Sequence, residues 1–132
     1  MDDYVNYLTR KNILALYADM FGLTERAAED ALLNEGMLES ALASPRNHAL
    51  YNGADLLEQA AYLGNALAQN HPFQDGNKRT AGISVQTFLS YNEITLTCSD
   101  DYLAAWVIAL TLGMAPDVFA ACLRSFTAPL AV

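Results

Sequence analysis

Basic residues are scarce in this chain: seven Lys and Arg stand against fifteen Asp and Glu, a formal net charge of -8 over 132 residues. Such a surface repels a phosphate backbone. No basic stripe or aromatic platform offsets it, which argues against direct nucleic-acid binding. Cysteine is scarcer still. Cys98 and Cys122 are the only two, and they show no metal-ligand spacing, so they read as small apolar residues in a reduced compartment. No run of about 18 or more apolar residues is present, which argues against a membrane span. The opening MDDYVNYLTRKN lacks the basic-then-apolar order of a signal peptide, so the cytoplasm is the expected location. Repeats, linkers and low-complexity segments are absent. The length and the 53% hydrophobic content fit one domain spanning residues 1–132 with a sizeable core.

The pattern along the chain is helical. Thr9 is placed to cap a helix carrying Ile13, Leu14, Leu16 and Tyr17, ended by Gly22. Thr24 is placed to cap a second, with Ala28, Ala31 and Leu32, stopping near Gly36. A short helix from Met37 to Ala43 is expected to end before Pro45, and Pro45 to Gly53 is rich in turn-formers without a helical stripe. Leu56 to Leu67 recurs at helical spacing and ends near Asn70. Ile94 to Cys98 is β-branched and extended, yet too short and solitary for a sheet. Ser99 marks another helix start, leading to Gly113, and Pro116 opens the last helix. The fold class expected is all-α, a compact helical bundle.

Nearly every reactive group falls in one stretch, HPFQDGNKRT, from His71 to Thr80. Pro72 stops helix from continuing through His71, because the residue before proline is pushed towards extended geometry. Gly76 accepts a backbone shape that bulkier residues resist, and a new apolar stripe with Ile83, Val85, Phe88 and Leu89 puts a helix start near Asn77. Free amides and partial positive charge at that N-terminus favour phosphate oxygens. Arg79 adds a planar fork of donors and Lys78 a mobile charge. Asp75 supplies a hard oxygen of the kind Mg²⁺ accepts. His71 is the group whose ordinary pKa suits it to take a proton near neutral pH. Singly, each residue has an ordinary structural explanation. Together they point to phosphate chemistry.

The stretch resembles the signature of the Fic/Doc family, H-x-F-x-[DE]-[GA]-N-[GK]-R, and is closest to its Doc, or death-on-curing, branch. GMLESALASP (Gly36 to Pro45) and DLLEQAAYL (Asp55 to Leu63) are similar to segments at the same distances before that motif. The resemblance covers roughly Leu8 to Phe126. It implies a Fic/Doc-type bundle with the motif's two helices at its centre. It implies His71 as the base that deprotonates a target hydroxyl, Phe73 as a core anchor of the loop, and Asp75 as the Mg²⁺ ligand. Gly76, Asn77, Lys78 and Arg79 would bind the phosphates of ATP or another nucleoside triphosphate. It also implies a target-docking flap before the central helix, over Arg46, Asn47, His48, Ala49 and Leu50. From spacing alone, the same segment is an ordinary connection.

Two positions bear on the reaction. Fic proteins that transfer AMP typically have glycine where this chain has Lys78, and a second arginine where it has Gly82. Both departures resemble the Doc branch, whose members transfer a γ-phosphoryl group. Gly76, where Doc itself has alanine, is shared with many Fic motifs. The expected function is therefore a Doc-like toxin that phosphorylates a translation factor, with elongation factor Tu the implied target. AMP transfer and a non-catalytic binding module are the alternatives. The intrinsic inhibitory pattern of many Fic proteins, [ST]-x-x-x-E-[GN], is not matched, since Ala31 precedes Glu35-Gly36 where Ser or Thr is needed. A separate antitoxin chain is the expected inhibitor.

Overall fold

Capping residues set where the helices begin in this computed structural model, which describes residues 4–130. Thr9 closes a capping box with Asn12 at the start of α1 (Arg10–Phe21), and Gly22 ends that helix in the left-handed region at φ 64°. Thr24 caps α2 (Glu25–Ala31) and Asn34 caps α3 (Glu35–Asn52). Asp55 forms a second capping box ahead of α4 (Leu56–Asn70), and α5 (Asn77–Tyr91) starts after Gly76. Ser99 caps α6 (Asp100–Thr111). Pro116 takes the first position of α7 (Pro116–Arg124), where its missing N–H costs no helical bond. The described residues thus form seven helices and one two-stranded ribbon, the all-α architecture expected. No helix among them is long and apolar enough to cross a membrane.

The hub is α4. Leu57, Ala60, Ala61, Leu63, Leu67 and Ala68 are buried along it, and it packs against α3, α5, α6 and α7. Beside it, α5 buries Val85, Phe88 and Leu89 completely. Each such side chain contributes about 1.5–3 kcal/mol when removed from water. The helices approach closely at Gly64, where an added Cβ would meet Val85 Cγ2 at 2.7 Å and Phe119 Cε2 at 3.1 Å. This packing fixes both ends of the His71–Gly76 connection between α4 and α5.

Three expectations about elements are corrected. The second helix stops at Ala31 rather than near Gly36, and the third starts at Glu35, because the Asn34 side chain accepts from Met37 N–H at 3.0 Å. That third helix does not end before Pro45. It runs through to Asn52 with Pro45 buried inside it, so the segment expected as a turn-rich connection or a target-docking flap is helical. An interior proline costs about 3 kcal/mol in lost bonding and clash. Contacts beyond it oppose that cost: the Arg46 guanidinium lies 4.6 Å from the centre of the Tyr7 ring, and His48 stacks on Tyr62 at 3.5 Å. Lastly, the Ile94 segment is not solitary. It forms β1 (Ile94–Leu96), antiparallel to β2 (Thr127–Pro129), with Leu96 opposite Thr127. Thr-Ala-Pro carries little strand signal, but proline is tolerated at a ribbon edge.

Candidate active site

The connection from α4 to α5 begins with His71 in the left-handed region, at φ 48°, rather than in the extended geometry expected before proline. Few residues other than glycine take this conformation, and here it turns the chain ahead of Pro72. The next residues lie like a strand across the junction of α2 and α3. Pro72 O accepts from Leu33 N–H at 2.9 Å and Asn34 N–H at 3.1 Å, and Gln74 N–H donates to Ala31 O at 2.9 Å. Phe73, 2% exposed, points inward and stacks on Tyr17 of α1 with ring centres 4.1 Å apart. The loop is thereby clamped from outside and anchored from inside.

Asn77 closes it. Its Oδ1 accepts from Phe73 N–H at 2.9 Å and its Nδ2 donates to Phe73 O at 3.0 Å. The Asn77 side chain is committed to shaping the loop. Gly76 caps α5 at φ 73° without a side-chain acceptor, so the first-turn amides of the helix remain open. Thr80, 1% exposed, donates its hydroxyl to Gly76 O at 2.8 Å and holds the glycine in place.

His71, Asp75, Gly76, Asn77, Lys78 and Arg79 line one cleft of 270 Å³. His71, Asp75, Lys78 and Arg79 are exposed there. Among the described residues no ion pair or side-chain hydrogen bond engages Lys78 or Arg79, whose donors stay available. Among the described residues the Asp75 carboxylate also lacks a basic partner. Its neighbour is the Tyr17 hydroxyl, which donates to Asp75 O at 3.1 Å and lies 3.5 Å from Oδ1. Burial, followed by the charge of Asp75, pushes the Tyr17 pKa up, so the phenol remains a donor at neutral pH. Arg46, Asn47, His48, Ala49 and Leu50 do not line the cleft. Arg46 and Asn47 instead line a groove against residues 4–9.

Sequence reasoning missed Phe21 altogether and took Tyr17 only for core. Phe21 fills the space that Gly76 leaves: a Cβ on residue 76 would collide with Phe21 Cζ. Its face carries the Arg79 guanidinium, 4.8 Å from the ring centre. The four-residue spacing of Tyr17 and Phe21 puts them on one face of α1. Their contact with a loop more than fifty positions away has no local signal, and only the tertiary packing brings it about.

The Fic/DOC family model matches residues 7–89, from just before α1 almost to the end of α5. Toxin Doc of Mycolicibacterium smegmatis is 36% identical over 99 residues, which cover 72% of this chain and 71% of that protein. Residues 7–89 hold the cleft, its clamps and the α1 aromatic pair. With the motif, the helical architecture and both comparisons in agreement, the chain belongs to the Fic/DOC family.

Proposed function

We propose that this protein is the toxin of a toxin–antitoxin pair and transfers the γ-phosphoryl group of a nucleoside triphosphate to a hydroxyl side chain of a target protein, a translation factor such as elongation factor Tu. The observation that carries this reading is the convergence of His71, Asp75, Lys78, Arg79 and the open first-turn amides of α5 on one cleft. Similarity to a protein named Toxin Doc supports the toxin assignment.

The donor set fits Mg²⁺ arriving with a nucleotide. No group of three or more His, Cys, Asp or Glu among the described residues comes together to hold a metal alone. Mg²⁺ commonly takes one or two carboxylates plus phosphates and waters, and Asp75 would be its protein ligand. When bound, the ion neutralises phosphate charge. The chain's own residues do the rest. Amides at Gly76 and Asn77, with Lys78 and the Arg79 fork, hold phosphate oxygens. His71 takes the proton from the target hydroxyl as its oxygen bonds to the γ-phosphorus. The bond from that phosphorus to the bridging oxygen breaks, and the nucleoside diphosphate leaves. The work is positioning and charge neutralisation, which a clamped loop performs well.

Lys78 and Gly82 favour phosphoryl over AMP transfer, whereas Gly76, shared with many Fic motifs, keeps AMP transfer as the second reading. An antitoxin chain would silence the enzyme from the 460 Å³ groove between α5 and α6. Lys78, Arg79, Gly82, Ile83, Leu103 and Val107 help line that groove, so an occupant would cover both cations. The test is incubation with candidate targets and ATP labelled separately at the α- and γ-phosphates. Label from the γ-position alone is expected on the target. Label from the α-position establishes AMP transfer, and nucleotide binding without label identifies a binding module.

A further inference from the structure

The Arg79 side chain is exposed yet not left to solvent. Its guanidinium rests 4.8 Å from the centre of the Phe21 ring, within the range of cation–π attraction. The same ring abuts Gly76, at the capping position where the α5 amides open. The ring is itself located, since Tyr17 packs on it at 4.7 Å and in turn stacks on the buried Phe73. One side chain from α1 therefore touches both parts of the anion cradle, the helix start and the arginine fork.

We infer that Phe21 is a positioning residue for phosphate recognition, holding the Arg79 fork over the α5 N-terminus before the ligand arrives. This inference rests on the anion-site reading above. A carboxylate in place of the ring would hold the arginine too, but it would occupy the donors and cancel the charge that phosphate needs. An aromatic face supports the guanidinium while leaving every N–H free. Ordering a long side chain in advance lowers the conformational entropy lost on binding. The same contact explains the glycine of the motif in this chain. Alanine at position 76 would strike the ring, so the residues at 21 and 76 must be chosen together.

The test is a double-mutant cycle read by calorimetric titration of the whole protein with ATP and with inorganic tripolyphosphate. Phe21→Leu keeps an apolar side chain but removes the π face, and roughly a two- to fivefold loss of affinity is expected. Arg79→Ala is expected to lose more. Phe21→Leu added to Arg79→Ala is expected to cost nothing further, because the ring then has no guanidinium to hold. A purely structural ring would lower affinity by the same factor in both backgrounds, and that result overturns the inference. So does unchanged affinity in Phe21→Leu. If Arg79→Ala binds as tightly as the parent, the anion-site reading fails and takes this inference with it. A ligand-free measurement separates the two. In the parent, Arg79 side-chain proton resonances are expected upfield from ring-current shielding and at ordinary positions in Phe21→Leu. Identical resonances in both proteins overturn the positioning role whatever the ligand proves to be.

Discussion

At His71 a single exposed imidazole, lying at the rim of the cleft, carries the proposed proton transfer. Its removal leaves the clamps at Pro72, Phe73 and Asn77 intact. His71→Ala is expected to fold and bind nucleotide almost normally while transfer falls about 10²–10⁴-fold, the usual cost of losing a general base. Near-normal label transfer in that variant removes His71 from the mechanism. Asp75→Asn tests a different part of the site. The Tyr17 bond to the backbone oxygen survives this change, so the loop is expected to stay folded while Mg²⁺-dependent nucleotide affinity drops. Equal affinities in parent and variant at every Mg²⁺ level make Asp75 a turn residue only. Lys78 is where the proposed reaction type is tested. Lys78→Gly is expected to lose γ-phosphoryl transfer, and Lys78→Gly with Gly82→Arg to favour AMP transfer more than either change alone. A Cβ at position 82 would not clash, since it would meet Leu103 only at 3.8 Å. Unchanged product and rate in Lys78→Gly would mean that its ammonium takes no part.

Between residues and the bundle lies the loop as an element, and Asn77 is its keystone. Asn77→Ala leaves the Phe73 N–H and C=O without the partners that hold them at 2.9 and 3.0 Å. Unsatisfied groups in a half-buried place cost about 1–3 kcal/mol each when water cannot replace the partner. Stability by urea denaturation is expected to fall by roughly that amount, and the Phe73 amide to exchange its hydrogen faster. An unchanged exchange rate at Phe73 would show the loop to be held without Asn77. Most elements of this fold were legible because their signals are local. Thr9, Gly22, Ser99 and Pro116 mark helix ends through their own backbone chemistry. Pro45 misled because its cost is local, whereas its burial and the contacts that follow it are tertiary. The Thr127–Pro129 strand was invisible because its partner supplies its reason for being extended. At the site, the contiguous motif was readable, whereas Tyr17 and Phe21 act across a sequence distance that no spacing rule spans.

For the whole molecule, the site depends on how closely α4 and α5 run, since one helix ends at His71 and the other starts at Asn77. Gly64 governs that distance. Replacing an interior helical glycine with alanine gains up to about 1 kcal/mol in helix propensity. Here the new methyl would lie 2.7 Å from Val85 Cγ2 and 3.1 Å from the Phe119 ring, both fully buried. Overpacking of this kind costs about 1–3 kcal/mol, so the clash is expected to win and Gly64→Ala to be destabilised. Val85→Ala alone leaves a cavity and is expected to be destabilised as well. In the double variant the methyl at position 64 enters the space that Cγ2 vacated, so its loss of stability is expected to be smaller than the sum by about 0.5–3 kcal/mol. Urea denaturation of the four proteins measures this coupling. Label transfer is expected to follow the same order, since a wedge between the helices would shift His71 relative to the proposed phosphate site. Stabilities that add to within about 0.5 kcal/mol would mean that the two helices do not control each other's position through this contact.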